Sequence, residues 1–244
     1  MKDNRVPLQA HLSMFAAEAI WGLMAPVGKA AMNSGFDGIS VVSFRVVGAA
    51  LLFWVASLIG PREHIPVRDI VKLAGAALLG IVFNQGLYNI GLSITSPVNA
   101  SIVTTSMPIF AMVLSFFILK EPITWKKALG VAIGCGGALI LILSSAHAGS
   151  AKVGNIRGDL MCFGAQFSFA LYLALYNPII RKYNVFTVNK WMFTWASLFV
   201  LPFTSWHVSQ LPWTTFTAAT WLEVGYVVVF GTFVSYLLSV VAQR

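Results

Sequence analysis

Glu18 stands inside an apolar run that extends from about residue 12 to residue 32. Leaving a carboxylate charged in hydrocarbon costs about 3 kcal/mol or more, so Glu18 must face a polar cavity or take up a proton. Either condition suits a group that binds a substrate amine or carries a coupling proton. Trp21 and Ala25 follow at i+3 and i+7 on the same helix face, and Lys29 continues it. Acid, indole and small residue together would form a wall for an amphiphilic or aromatic solute. Asn84, Gln85, Tyr88 and Asn89, at i, i+1, i+4 and i+5 of a second apolar run, form a polar stripe that needs a neighbouring helix or water. Ser101, Thr104 and Thr105 add hydroxyls, and Pro108 frees a backbone carbonyl to line a site. Each of these has a plainer structural reading. Glu18 and the amides can bond within a helix bundle, Trp21 can simply pack, and hydroxyls commonly bond back to their own helix.

Other chemistries fail on spacing. Gly22 to Lys29 resembles a phosphate loop, but five residues separate Gly22 from Gly28, Ala30 replaces the metal-binding hydroxyl, and no strand precedes it. Cys135 and Cys162 fall inside apolar runs, and the four histidines sit at the ends of such runs without ligand spacing, so neither metal nor cofactor is expected. The acid and base pairs or nucleophile motifs of an enzyme are also missing, which disfavours a membrane-embedded enzyme.

The elements that position these residues are membrane helices. Hydrophobic residues make up 58% of the 244-residue chain, charged residues only 10%, and the mean hydropathy is +0.80. A soluble domain carries about 25% charge, so a water-soluble core is excluded. The net charge of +8 does not imply nucleic acid, because the basic residues punctuate apolar runs instead of sharing one face. Runs of about 20 residues predict eight spans, at 12–32, 40–59, 73–92, 97–119, 125–143, 158–178, 190–206 and 219–242. With a cytoplasmic N-terminus, the inside segments hold Lys2, Arg5, Arg62, Arg68, Lys72, Lys120, Lys126, Lys127, Arg181, Lys182, Lys190 and Arg244. The outside loops hold only Lys152 and Arg157, and Lys29 and Arg45 read as snorkelling from outer helix ends.

The sharpest local grammar lies between Ser96 and Leu143. Ser96-Pro97, then Met107-Pro108 in mid-helix, then the hinge Lys120-Glu121-Pro122-Ile123-Thr124, then Gly130, Gly134 and Gly136-Gly137 follow in order. In that hinge Pro122 stops one helix and Thr124 can cap the next. Gly130, Gly134 and Ala138 read as a small-residue face for close helix packing. Together these features resemble the end of one repeat of the EamA family, in the drug/metabolite transporter (DMT) superfamily.

The resemblance implies an all-α polytopic fold of two five-helix repeats with inverted topology. It places the protein in the inner membrane, exporting amino acids or other small metabolites by alternating access. A passive channel is the remaining alternative. Residues 1–145 would be the first repeat and 156–244 a partial second one, with the boundary in the loop from Ser144 to Asn155. Phe163-Gly164-Ala165-Gln166 aligns with Phe15-Ala16-Ala17-Glu18, and Gly231 with Ser235-Tyr236 aligns with Gly80 and Asn84-Gln85. On that alignment Gln166, Tyr172, Ser235 and Tyr236 join Glu18, Trp21, Asn84, Gln85, Tyr88, Asn89, Thr104 and Pro108 as substrate-binding candidates. The expected partners are a small-molecule substrate and the lipid bilayer. Counterparts of 97–119 and 125–143 are missing from the second half, so the chain reads as a fragment or as an eight-helix variant. It would then be less stable than a longer form, or pair as a homodimer to cover the faces left bare.

Overall fold

Side-chain caps decide where these helices begin. Asp37, Ser96, Asn155, Asn184 and Thr217 each accept a backbone N–H from the first helical turn that follows, satisfying donors that have no partner inside the helix. The computed structural model describes residues 8–60, 63–147 and 155–242. Its helices are α1 (Leu8–Gly22), α2 (Met24–Asn33), α3 (Gly38–Ala56), α4 (Val67–Ala77), α5 (Asn84–Ile94), α6 (Pro97–Thr104), α7 (Met107–Leu119), α8 (Trp125–His147), α9 (Ile156–Lys182), α10 (Val185–Ser209), α11 (Ala218–Val228) and α12 (Ser235–Ala242). Two π-helical segments, Leu78–Phe83 and Val229–Val234, join α4 to α5 and α11 to α12.

Among the described residues these elements line up as eight rods: α1–α2, α3, α4–α5, α6–α7, α8, α9, α10 and α11–α12. Five stretches are long and apolar enough to cross a membrane: Gly38–Ala56, Val67–Ile94, Pro97–Leu119, Ile156–Lys182 and Ala218–Val240. Several rods outrun the apolar stretches that announced them. α4 begins at Val67, where Asp69 and Lys72 form an i,i+3 pair, and α10 begins at Val185, directly after its Asn184 cap. The basic residues Lys2, Arg5, Arg62, Lys152 and Arg244, and positions 148–154 of the expected repeat boundary, lie outside the described residues. The hinge forms as expected. Lys120 ends α7 in the left-handed region at φ 54°, and Lys127 N donates to Thr124 Oγ1 at 3.4 Å at the start of α8.

The rods pack in matched pairs. α3 lies against α10, with Phe53 and Phe193 stacked at 5.3 Å and Val46, Ala49, Val188 and Ala196 buried around them. α1 lies on α12, and α9 lies on α5. These last two contacts mirror each other through the π segments. A Cβ on Gly80 would meet the Tyr172 ring at 2.7 Å, and one on Gly231 would meet the Met24 side chain. Tyr172 and Met24 stand at equivalent places when Phe163 is aligned with Phe15. Where α5 crosses α9, Gly91 and Gly158 bring backbone against backbone: a Cβ on either would lie 2.7 Å from the carbonyl oxygen of the other.

At one end of the bundle Asp69 is buried between three donors. It accepts from Lys182 Nζ at 2.6 Å and from the Tyr183 hydroxyl at 2.5 Å, with Lys72 Nζ at 3.5 Å. Beside this tie, Trp195 Nε1 donates to Ile70 O at 2.9 Å. The start of α4 is thereby fixed to the end of α9 and to α10.

Candidate functional site

A cavity of about 620 Å³ opens between the rods, within the size range of small-molecule sites. Glu18, Trp21, Gly22, Met24 and Ala25 come from the first rod and Arg45 from α3. Asn84, Gln85 and Tyr88 come from α5, and Ser101, Thr104, Thr105, Met107 and Pro108 from the broken rod α6–α7. Gly130, Val131, Gly134 and Cys135 line it from α8, Gln166 and Phe169 from α9, and Tyr236 from α12.

Broken helices make this polar lining. At Pro108 the missing N–H removes the donor that would reach back four residues, and the chain turns through Thr105 and Ser106 between α6 and α7. The Thr105 carbonyl there accepts from Cys135 Sγ at 3.0 Å. The π segments offer carbonyls in the same way. Gly80 O accepts from the Tyr236 hydroxyl at 2.9 Å, and Gly231 O accepts from Trp21 Nε1 at 3.2 Å. Trp21 meets Phe169 edge-on at 6.1 Å and Tyr236 edge-on at 5.9 Å, giving the cavity an aromatic wall.

Nine of the twelve expected residues line this space: Glu18, Trp21, Asn84, Gln85, Tyr88, Thr104, Pro108, Gln166 and Tyr236. Glu18 is exposed and makes no hydrogen bond or ion pair with any described residue. Asn84 Nδ2 donates to Ala165 O at 3.0 Å, joining α5 to α9. Gln85 is buried and donates through Nε2 to the Tyr236 hydroxyl at 3.2 Å. The Thr104 hydroxyl is spent on its own helix, donating to Ser101 O at 2.7 Å, so only its oxygen remains to accept.

The other three do not reach the cavity. Asn89 is buried against the start of α3, where its backbone carbonyl would contact a Cβ on Gly38, and its Nδ2 donates to Gln85 O at 2.7 Å. Tyr172 is buried with its ring on Gly80 and its hydroxyl 3.9 Å from Met192 Sδ. Ser235 donates to Gly231 O at 2.9 Å inside its own helix.

Three further expectations are corrected. Arg45 does not snorkel outward: it is buried, lines the cavity and bonds to Thr232 and Gly231. Lys29 turns inward to donate to the carbonyls of Leu92, Ser93 and Thr95 at 2.7–3.1 Å, closing the C-terminal end of α5. Gly130 and Gly134 do not form a packing seam among the described residues. A Cβ on either would meet nothing within 4 Å, and both line the cavity. Of the residues that sequence reasoning missed, Arg45 carried a usable signal, namely a cation inside an apolar run.

Apolar rods around a polar-lined cavity define the class, an α-helical membrane protein. The EamA-like transporter family model matches residues 8–143 and 156–244, and the chain belongs to that family of membrane transporters. It is 27% identical over 183 residues to an "Uncharacterized transporter" of Archaeoglobus fulgidus, covering 75% of this chain and 63% of that one. It is 22% identical over 236 residues to the "Uncharacterized transporter YetK" of Bacillus subtilis, covering 94% and 70%. It is 25% identical over 222 residues to "Protein WALLS ARE THIN 1" of Arabidopsis thaliana, covering 86% and 56%. The chain thus spans 56–70% of the length of these relatives. A solved crystal structure shares the fold with a TM-score of 0.70 at 18% identity, over 98% of this chain and 82% of that one.

Proposed function

We propose that the protein exports small organic solutes, amino acids or comparable metabolites, across the inner membrane by alternating access, with the solute held in the cavity. The observation that carries this reading is the lining itself. First-half and second-half rods both supply it, so a rocking motion of one half against the other would open the same space to either side in turn. The helix breaks at Pro108 and in the two π segments sit where such a motion needs compliance. Glu18, without a hydrogen-bond or ion-pair partner among the described residues, takes a substrate amine or the coupling proton. The N-terminus lies in the cytoplasm, since that orientation puts most basic residues inside.

Counterflow in proteoliposomes tests the reading. Vesicles preloaded with a mixture of unlabelled amino acids are given each labelled amino acid outside in turn. Transient, saturable accumulation of at least one is expected. Flux that rises linearly with concentration would mean a channel, chemical conversion of the solute would mean an enzyme, and absence of exchange for every solute would remove amino acids from the proposal.

A further inference from the structure

Arg45 lies about 10 Å along α3 from its first residue, by helical rise, and is 4% exposed. Burying a guanidinium is costly unless a charge or a full set of acceptors meets it. Its Nε donates to Thr232 Oγ1 at 3.0 Å, and Nη2 reaches Gly231 O at 3.4 Å. That carbonyl has two lone pairs and up to three donors, because Trp21 Nε1 approaches at 3.2 Å and Ser235 Oγ at 2.9 Å, the latter able to turn its one proton to Thr232 O at 3.3 Å instead. The Arg45 contact is the longest of the three and the easiest to give up. No carboxylate among the described residues pairs with Arg45, and its other N–H groups find no acceptor there.

Gln85 supplies the complementary half. The single proton of the Tyr236 hydroxyl goes to Gly80 O, so that oxygen can only accept, and Gln85 must turn its NH2 toward it. The arrangement leaves Gln85 Oε1 buried without a donor among the described residues, on a residue that is 1% exposed and lines the cavity with Arg45. An acceptor desolvated in this way is expensive to leave unpaired.

We infer that Arg45 is an anion-binding residue, and that the solute is a small organic acid whose carboxylate takes the unused N–H groups of Arg45 while an N–H or O–H of the same molecule donates to Gln85 Oε1. Arginine suits this task because its planar fork can meet both carboxylate oxygens at once. Glu18 on the same cavity, when ionised, opposes a second negative charge, so in that state monoanions and zwitterions are favoured over dianions. The inference deepens the transport reading by naming the chemical class of the solute.

The test is ligand-dependent thermal stability of the purified full chain in detergent. Phenyllactate, phenylalanine and leucine are compared with phenyllactamide, phenylalaninol and leucinol, which keep the donor and the side chain but lack the carboxylate. At least one carboxylate should raise the melting temperature of the wild type while its counterpart does not, and Arg45→Gln should weaken that carboxylate at least tenfold. If Arg45→Gln fails to fold, Arg45→Lys carries the test: it keeps the charge, loses the fork, and should bind several-fold more weakly. Equal shifts from acids and their counterparts, no shift from any carboxylate, or a variant with lowered melting temperature but unchanged affinity would each overturn the inference. Binding without flux in proteoliposomes would leave the Arg45 site standing and remove the transport reading; flux confined to molecules without a carboxylate would do the reverse.

Discussion

Glu18 shows how far single residues can be read from a membrane sequence. An acid inside an apolar run is expensive enough to call for a cavity, a proton or a partner in the bundle, and the structure places it on the cavity wall with no hydrogen-bond or ion-pair partner among the described residues. Glu18→Gln keeps the shape and removes the charge. Folding should survive, while initial exchange rates fall at least tenfold, about 1.4 kcal/mol. Normal exchange at every pH tested would make Glu18 structural. The residues that were misplaced fail for geometric reasons. At about 100° per residue, Asn89 sits roughly 140° around the helix from Asn84, so the cavity catches Asn84, Tyr88 and Gln85 and leaves Asn89 beyond its edge. Ser235 and Tyr236 stand about 100° apart on their helix; Tyr236 reaches the cavity, while the Ser235 hydroxyl is spent on Gly231 O. Arg45 was misjudged because its apolar run begins close by, whereas the helix starts at Gly38 and carries it further in.

Helices were legible wherever hydrophobic runs and caps agreed, as in Pro97–Leu119 behind its Ser96 cap and its proline. The π segments were not, since an extra residue in a turn leaves no mark in composition, although Gly80 and Gly231 mark both sites. Close crossings depend on such glycines. Gly158→Ala would push a methyl into the carbonyl of Gly91, and backbone cannot move aside as a side chain can. We expect a loss of about 1–3 kcal/mol, seen as a lower melting temperature in detergent. Gly231→Ala should cost less, because the atom it meets belongs to a flexible methionine, whereas Gly80→Ala meets a buried tyrosine ring. A melting temperature lowered more by Gly231→Ala than by Gly80→Ala would show that Met24 is not the compliant partner. The Asp69 carboxylate ties the start of α4 to the end of α9, so Asp69→Ala should lower the melting temperature by removing its bonds to Lys182 and Tyr183. An unchanged melting temperature would mean that the tie adds nothing to stability.

At the scale of the whole molecule, the mirrored contacts of Gly80 with Tyr172 and of Gly231 with Met24 relate rods three and six to rods eight and one. The weak alignment of Phe15 with Phe163 pointed to the same relation. The surroundings differ, however: Phe163 packs on Phe110 at 4.7 Å, whereas Phe15 is 76% exposed on an apolar face. Orientation is tested by thiol labelling of intact cells in a background lacking Cys135 and Cys162. Thr214→Cys should react with an impermeant maleimide, and Lys126→Cys only after lysis; the reverse pattern would invert the topology. The central claim is that the cavity is where the solute sits. It is tested most directly by placing a cysteine at Thr104 in the same background and measuring its modification in proteoliposomes, with and without the solute that supports counterflow. Saturating solute should slow modification at Thr104 and leave the Lys126 cysteine unaffected. A modification rate at Thr104 that ignores the solute, while exchange proceeds normally, would contradict the account.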